Sequence, residues 1–342
     1  MKVGLIGHRG AGKTTIFNML TGLQAQVGGF GKDEIHLGVI KVPDERIDRL
    51  SQMFKPKKTT YAEIRFTDFP PQAEDNLKSS NALVMQMREV DAIALVLRDF
   101  ESGSAPIREL DDLLTEMILA DLTVVENRRN RLKKEKARPQ EEGLLERCAA
   151  ALENEQSLRT LNLSAEEESL LSGFGFLSRK PLLVLFNQSE DKAGQPLAPS
   201  YQEELQRRDL EGMALAGKVE MEIAHLDESD RAAFLKEIGI TEPARDRFIR
   251  ASYHLLNLIS FFTAGEDEVR AWTIAHGTHA RQAAGKIHSD IERGFIRAEV
   301  IAYADFIAHG SEAKCKEAGK LRLEGKDYIV KDADIIHFRF AV

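Results

Sequence analysis

The hydrophobic positions of this chain form two kinds of pattern, short continuous apolar runs and longer stretches with helical spacing. Apolar runs at residues 3–6, 92–97 and 182–186 carry no charge, which is typical of strands buried on both faces of a parallel sheet. Residues 39–43, 62–68 and 212–216 predict further strands. The first run leads into a helix-forming stretch that ends at Gly22, a residue suited to the left-handed helix stop. The patterns together predict an α/β fold with a mostly parallel sheet.

A helical hairpin is predicted in the middle of the chain. From residue 109 onward apolar side chains recur every three or four positions with charges between them, the spacing of an amphipathic helix. Pro139 interrupts this spacing, which then resumes, and Ser164 with Glu167 forms the capping-box pattern that starts another helix. Because strand character returns only near residue 181, we interpret the hairpin as an insertion within the sheet domain.

The pattern changes again near residue 261, where half-exposed strands replace the buried ones. Alternating apolar and polar residues at 269–274, 327–330 and 335–340 predict strands, and residues 280–291 have helical character. These elements predict a small α+β module at the end of the chain.

Charge and composition narrow the classes of function. Lys and Arg number 47 against 55 Asp and Glu, so the net charge of −8 excludes a generic polyanion binder. Residues 128–138 hold seven basic side chains and one acid, which either form a solvated helix face or contact a phosphate backbone. Two cysteines and the lack of a long apolar stretch lead us to expect a cytoplasmic protein without a signal peptide or membrane span.

The segment after the first strand carries the most specific chemistry. It fits G-x-x-x-x-G-K-[ST] as Gly7-His8-Arg9-Gly10-Ala11-Gly12-Lys13-Thr14, between a strand and a helix. Glycines let backbone N–H groups face phosphate oxygens, and the helix N-terminus adds partial positive charge. We expect Lys13 to reach the outer phosphates as the catalytic cation and Thr14 to ligate Mg²⁺. A chance match to this pattern is rare, roughly one chain in a hundred.

Further candidate residues lie where other strands end. Asp68 is a candidate for holding Mg²⁺ through water, although it equally well only ends a strand before a Pro-Pro turn. Asn187 and Glu190 follow the strand at 182–186, at the edge where such sheets bind ligands. The residues expected to contact the nucleotide are His8, Arg9, Gly10, Ala11, Gly12, Lys13, Thr14, Thr15, Asn187, Glu190, Ala216, Gly217 and Lys218. For His8, a solvent-facing loop position is the favoured interpretation.

With these motifs in order, the chain resembles the YchF/Obg-like ATPase family, a branch of the translation-factor P-loop GTPases. The likeness covers essentially the full length and is most specific at residues 262–272, 282–288, 294–300 and 319–328, which are similar to the family's TGS domain, a β-grasp module. It implies a P-loop domain (G-domain) at 1–120 and 175–260, a helical hairpin at 121–174 and a TGS domain at 261–342. It also implies preference for ATP over GTP, and ribosome or RNA association through the tip at 128–138 and the TGS domain. We expect a monomer.

The segment expected to recognise the base, residues 187–190, argues against selectivity for GTP but does not by itself explain selectivity for ATP. In the GTP-reading motif Asn-Lys-x-Asp, the aspartate accepts two hydrogen bonds from guanine. Here Glu190 is one methylene longer and Gln188 replaces the lysine, so the paired geometry is lost. An ionised carboxylate cannot donate to adenine N1, so Glu190 alone creates no ATP selectivity. A slipped register that brings Asp191 to the base stays open as an alternative.

The switch regions depart from the family pattern. Lys32 stands where the family has a threonine that ligates Mg²⁺, and Pro70 and Pro71 stand in the Asp-x-x-Gly segment. Proline has no N–H to offer the terminal phosphate. Gln72 follows, but the prolines fix a different backbone, so we do not interpret it as catalytic. We therefore expect a slow ATPase. The alternatives are a non-catalytic RNA- or ribosome-binding adaptor with a structural nucleotide site, and a true GTPase; a small-molecule kinase is least favoured.

Overall fold

The computed structural model describes residues 1–25, 35–70, 81–134, 139–238, 240 and 242–341. These residues divide into two compact units, one formed by 1–39 with 65–248 and the other by 40–64 with 249–342. Within these ranges no helix has both the length and the apolar character needed to cross a bilayer.

The two units together contain the following strands and helices, numbered in chain order among the described residues. The described strands are β1 Lys2–Ile6, β2 His36–Lys41, β3 Lys58–Thr60, β4 Glu63–Asp68, β5 Ala92–Asp99, β6 Leu182–Gln188, β7 Glu211–Leu215, β8 Leu258–Ala264, β9 Glu268–Ala275, β10 Phe295–Ala302, β11 Arg322–Glu324 and β12 Asp334–Phe340. The described helices are α1 Lys13–Thr21, α2 Glu45–Phe54, α3 Asn81–Arg88, α4 Pro106–Leu132, α5 Pro139–Glu153, α6 Ala165–Leu171, α7 Pro199–Arg207, α8 Gly217–Ala224, α9 Glu228–Glu237, α10 Ala244–Leu255, α11 Ala280–Ile287, α12 Ser289–Arg293, α13 Tyr303–His309 and α14 Glu312–Glu317.

The first sheet has the strand order β2-β4-β1-β5-β6-β7, and the pairings β4-β1, β1-β5, β5-β6 and β6-β7 are parallel. Every residue of β6 is buried, as the continuous apolar run predicts. Leu95, Val184 and Phe186 lie in a core cluster with Met117 of α4. The parallel pairing brings the carboxyl ends of β1, β4, β5 and β6 to one edge of the sheet, which is where ligands bind in such folds.

The predicted hairpin is formed by α4 and α5. Val125, Leu132, Leu145 and Cys148 lie in one buried cluster. The interruption of the pattern at Pro139 is confirmed: α4 ends at Leu132, and Pro139 is the first residue of α5, where no backbone N–H is needed. The capping box that begins α6 is present as predicted.

The second unit contains a sheet in the order β11-β10-β12-β8-β9-β3. Helix α11 packs on it through Ala283 and Ala284 beside Phe261 and Ile274. The predicted strand at 327–330 is wrong: this segment turns back, Tyr328 donates to Asp334 Oδ2 at 2.6 Å, and only an isolated bridge joins Ile329 to His279. The helical stretch at 280–291 is interrupted at His288, whose backbone is extended.

Residues 40–64 belong to this second unit, which the sequence patterns do not predict. Strand β3 pairs in parallel with β9, from Lys58 opposite Glu268 to Thr60 opposite Arg270. The Arg46 guanidinium donates to Asp332 at 2.6 Å and lies 5.3 Å from the centre of the Phe262 ring. An early segment of the chain therefore completes the C-terminal sheet.

Candidate functional site

The loop between β1 and α1 encloses the side chain of Lys13. Lys13 is 6% exposed, and its ammonium donates to the carbonyl oxygens of Gly7 at 2.7 Å and His8 at 3.1 Å. Burial lowers the pKa of Lys13 to about 8, although the charge of Asp68 acts in the opposite direction. Among the described residues, the hydrogen bonds of this ammonium go to neutral carbonyls, and a buried cation of this kind is stabilised when an anion takes over those contacts. The loop is therefore suited to a phosphate.

Asn187 ties this loop to the segment that begins α8. Its Nδ2 donates to the carbonyl of Ala11 at 3.0 Å, and its Oδ1 accepts from the backbone N–H of Gly217 at 3.0 Å. Gly12 has a φ of 88°, and a Cβ there would lie 2.2 Å from Asn187 Nδ2. Ala216 is buried directly before Gly217. The Asn187 amide thus connects the predicted phosphate loop to residues 216–218, which are also expected to contact the nucleotide.

Asp68 lies beside the start of α1. The Thr14 hydroxyl donates to Asp68 Oδ2 at 2.9 Å, and His36 Nδ1 lies 3.3 Å from the same oxygen. The Asp68 side chain is buried and its Oδ1 has no hydrogen-bond partner in the described part of the chain. Burial raises the pKa of Asp68, although Thr14 and His36 partly offset it. A buried carboxylate oxygen without a partner, next to a hydroxyl, suits a hydrated Mg²⁺ ion.

His36 is a residue that sequence reasoning missed. It is the first residue of β2, which carries no recognisable motif, and it reaches Asp68 only because β2 begins beside the end of β4 in the folded sheet. No clusters of three His, Cys, Asp or Glu side chains suited to a metal occur in the described ranges. The groups that could ligate a metal around Asp68 are therefore the oxygens of Thr14 and Asp68 and the imidazole of His36.

The base-reading candidates lie at the end of β6. Glu190 Oε1 is 2.5 Å from the ammonium of Lys218, and both side chains are more than half exposed. Gln188 turns away from them, because its amide donates to Asp99 Oδ2 at 3.1 Å, while the Tyr201 hydroxyl donates to Asp99 Oδ1 at 3.1 Å. Sequence reasoning missed Asp99 and Tyr201, which carry no motif signal.

The remaining predicted residues take mixed positions. His8 is half-buried rather than solvent-facing, and its Nε2 is buried without a hydrogen-bond partner among the described residues. Arg9 and Gly10 are exposed, and Thr15 is half-buried in the first turn of α1. Asp191 is exposed, and a hydrogen bond with the Ser189 side chain lowers its pKa. Pro70 is half-buried after β4. Lys32, Pro71 and Gln72 lie outside the described residues.

The basic stretch near the hairpin tip is partly neutralised. Arg128 is half-buried and donates twice to Glu141, at 2.7 and 3.0 Å. Arg131, Lys133 and Lys134 are exposed at the end of α4, and residues 135–138 lie outside the described ranges. The exposed cations in the described part of this stretch are therefore fewer than its composition indicates.

Comparison with known families identifies both ends of the chain. Residues 258–341 match the model for the YchF-GTPase C-terminal region, which is described as a protein of unknown function. Residues 2–128 match a model described as a 50S ribosome-binding GTPase. The α/β P-loop fold followed by an α+β module agrees with both matches.

Similar curated and solved proteins cover the whole chain. The ribosome-binding ATPase YchF of Escherichia coli O157:H7 is 40% identical over 360 aligned positions, covering 100% of this chain and 99% of that protein. The ribosome-binding ATPase YchF of Bacillus subtilis strain 168 is 38% identical over 364 positions, with 100% of both covered. The solved structure of the Schizosaccharomyces pombe YchF GTPase is 29% identical with a TM-score of 0.86, covering 99% of this chain and 97% of that one.

Proposed function

Because this chain belongs to the YchF family, we propose that it binds Mg·ATP in the β1–α1 loop and hydrolyses it slowly. The observation that carries the proposal is the position of Lys13, a buried ammonium whose contacts are two carbonyl oxygens of that loop. A triphosphate would take over the ammonium and receive the loop's backbone N–H groups, together with the partial positive charge at the start of α1.

Four of the predicted side chains besides Lys13 have a separate role in this proposal. Thr14 and Asp68 would hold Mg²⁺, which when bound neutralises charge on the outer phosphates. Asn187 keeps the phosphate loop and the Gly217 backbone together, so that phosphates and base are held by one rigid frame. Glu190 lies on the base side. Hydrolysis is slow in this proposal because Pro71, which stands at the glycine position of the Asp-x-x-Gly segment, has no N–H for the terminal phosphate. No described side chain takes the place of a general base.

Calorimetric titration with ATP and GTP, with and without Mg²⁺, tests the proposal together with a turnover assay. We expect ATP to bind more tightly than GTP, and Lys13→Met to weaken ATP binding at least tenfold because a charged hydrogen bond to phosphate is lost. Lys192→Met, which removes a half-buried ammonium that lies 3.9 Å from Asp99 Oδ2 at the same edge of the sheet, is the control. Failure of every nucleotide to bind more tightly than about 1 mM would end the proposal.

The metal part of the proposal has a separate test. Asp68→Asn removes the carboxylate charge, so we expect it to abolish the gain in ATP affinity on adding Mg²⁺ while leaving affinity in EDTA nearly unchanged. Asp99→Asn is the matched control, because Asp99 is also buried at this edge but already accepts from Gln188 and Tyr201. If Asp68→Asn kept the full Mg²⁺ effect, Asp68 would not hold the metal.

A second candidate function is a cytoplasmic ribosome-binding adaptor whose bound nucleotide is structural. Pro71, at the glycine position of Asp-x-x-Gly, favours it, since a missing N–H beside the terminal phosphate disables turnover rather than binding. The curated relatives are named ribosome-binding, and in this chain the hairpin and the C-terminal module are the surfaces we assign to that partner. Nucleotide binding without measurable turnover would select the adaptor, and a GTP preference would select a GTPase.

A further inference from the structure

Two oppositely charged side chains meet on the base side of the site, at positions whose backbones are fixed. The N–H of Gly217, directly before Lys218, donates to Asn187 Oδ1 at 3.0 Å. The carbonyl of Glu190 accepts from the N–H of Ala193 at 3.0 Å in a tight turn. Glu190 and Lys218 therefore lie at or next to hydrogen-bonded backbone positions, and Asn187, which holds Gly217, is itself bound to the phosphate loop.

The side chains of this pair are free to meet a ligand. Glu190 is 57% and Lys218 67% exposed, and their closest oxygen and nitrogen atoms are 2.5 Å apart. An ion pair this exposed adds little to stability, so the two groups can separate around a bound base at small cost. The carboxylate raises the pKa of Lys218, so the pair favours the charged form of the ammonium.

The chemistry of the purine edge gives the pair a function. Adenine presents an amino donor at N6 beside an acceptor at N1. An ionised carboxylate only accepts hydrogen bonds, whereas a lysine ammonium only donates them. Glu190 can thus accept from N6, but N1 needs a donor, and in the described part of the base side the ammonium nearest to Glu190 is that of Lys218.

We propose that Lys218 determines base specificity by donating its ammonium hydrogen bond to N1 of adenine while Glu190 accepts from the N6 amino group. This inference rests on the proposed ATP binding and extends it from the phosphates to the choice of base. It assigns selectivity to a side-chain pair, one member on the β6 end and the other on α8, rather than to Glu190 alone.

The test uses 1-deaza-ATP, in which a C–H replaces N1, with the full-length protein in a binding titration. Wild type is expected to bind Mg·1-deaza-ATP about tenfold more weakly than Mg·ATP, since a charged hydrogen bond is lost. Lys218→Met is expected to weaken ATP binding by a similar factor and to bind ATP and 1-deaza-ATP equally. Lys218→Arg keeps a cationic donor and is expected to retain most of the difference. Lys192→Met is the control for loss of a nearby positive charge.

Two results would overturn the inference while ATP binding stands. One is equal affinity of wild type for ATP and 1-deaza-ATP. The other is a Lys218→Met variant that weakens both ligands by one factor, or that weakens GTP alone, which would place the ammonium on guanine O6 instead. If wild type bound no nucleotide at all, the proposed function itself would fail. Thermal unfolding of each variant separates these outcomes from misfolding, and Lys218 is exposed enough that none is expected.

Discussion

Gly12 shows how one residue links the geometry of the phosphate loop to Asn187, beside the segments that we propose hold the base. Its backbone is left-handed, and a Cβ would lie 2.2 Å from Asn187 Nδ2. Gly12→Ala is therefore expected to displace the Asn187 amide, to lower the free energy of unfolding by about 2–3 kcal/mol, and to weaken ATP binding more than tenfold. Urea unfolding and calorimetric titration measure the two effects.

Gly22→Ala is the matched control for backbone strain. Gly22 has a similar φ of 70°, but no atom lies within 4 Å of its added Cβ. We expect a loss of only about 1 kcal/mol in unfolding free energy and unchanged ATP affinity. Equal effects of the two substitutions on ATP affinity would show that the contact with Asn187 does not hold the loop.

At the scale of single residues, the sequence predicts those site residues that belong to one contiguous motif. Lys13 and Thr14 follow from their spacing, and their surroundings in the fold suit the roles assigned to them. His36 and Asp99 escape prediction because each reaches its partner only through sheet pairing, from a strand whose side chains carry no motif. Polar contacts between strands that are distant in the sequence leave no local sequence pattern from which they could be predicted.

At the scale of elements, a buried ion pair joins α3, α4 and the segment before β6. Asp121 is fully buried and accepts from Arg88 at 2.7 Å and from the N–H groups of Leu177 and Ser178 at 3.0 and 2.7 Å. Asp121→Asn leaves the Arg88 charge buried without its counterion, so we expect a loss of about 3–5 kcal/mol in urea unfolding.

An exposed pair provides the comparison for Asp121. Lys57 and Asp267 are 82% and 87% exposed and lie 2.7 Å apart. Asp267→Asn is expected to change the free energy of unfolding by less than about 1 kcal/mol. Similar losses for Asp121→Asn and Asp267→Asn would contradict a structural role for the buried pair.

The core of the hairpin makes a prediction about pH. Cys148 of α5 is fully buried, and burial raises the pKa of its thiol from 9.0 to about 11. Between these values the unfolded chain has lost the proton that the folded protein keeps, so stability falls as pH rises, by at most about 3 kcal/mol. Cys148→Ala is expected to remove this part of the slope in unfolding measured from pH 8 to 11; an unchanged slope would contradict it.

Helices and buried strands were predictable because the spacing of hydrophobic residues along the chain indicates which face of an element is buried. The strand predicted at 327–330 was wrong, since alternation there reflects a turn held by Tyr328 and Asp334 rather than a ladder. The interruption at Pro139 was predictable, because proline is tolerated in the first turn of a helix but not in its interior, and α5 begins at Pro139.

At the scale of the whole molecule, charge makes the ribosome proposal testable. With a net charge of −8, attraction to RNA must come from local cations, and Arg131, Lys133 and Lys134 are exposed together at the end of α4. Reversing these three to glutamate is expected to reduce co-sedimentation with ribosomes at least tenfold at low salt and to weaken its salt dependence.

Reversal of Lys2, Arg207 and Lys236 to glutamate is the control, because these three side chains are also exposed but lie in the first unit, outside both the hairpin and the C-terminal module. We expect ribosome binding to stay near the wild-type level. Equal loss in both triple variants would show that net charge, and not the hairpin tip, governs the association.

The division into two units was not predictable in full. The module after residue 258 has clear patterns of its own, but residues 40–64 join it through β3, a strand of three residues with the sequence Lys-Thr-Thr. Three residues without an apolar alternation carry no strand signal, and their partner β9 is about two hundred positions away.

This pairing has a consequence for vectorial synthesis. The segment that contains β3 leaves the ribosome long before β9 is translated, so it must wait, unpaired, for most of the chain to emerge. A truncated product beginning after residue 248 would lack the edge strand and expose β9 to other chains. Completion of the C-terminal sheet consequently depends on a segment that is synthesised well before its partner strand.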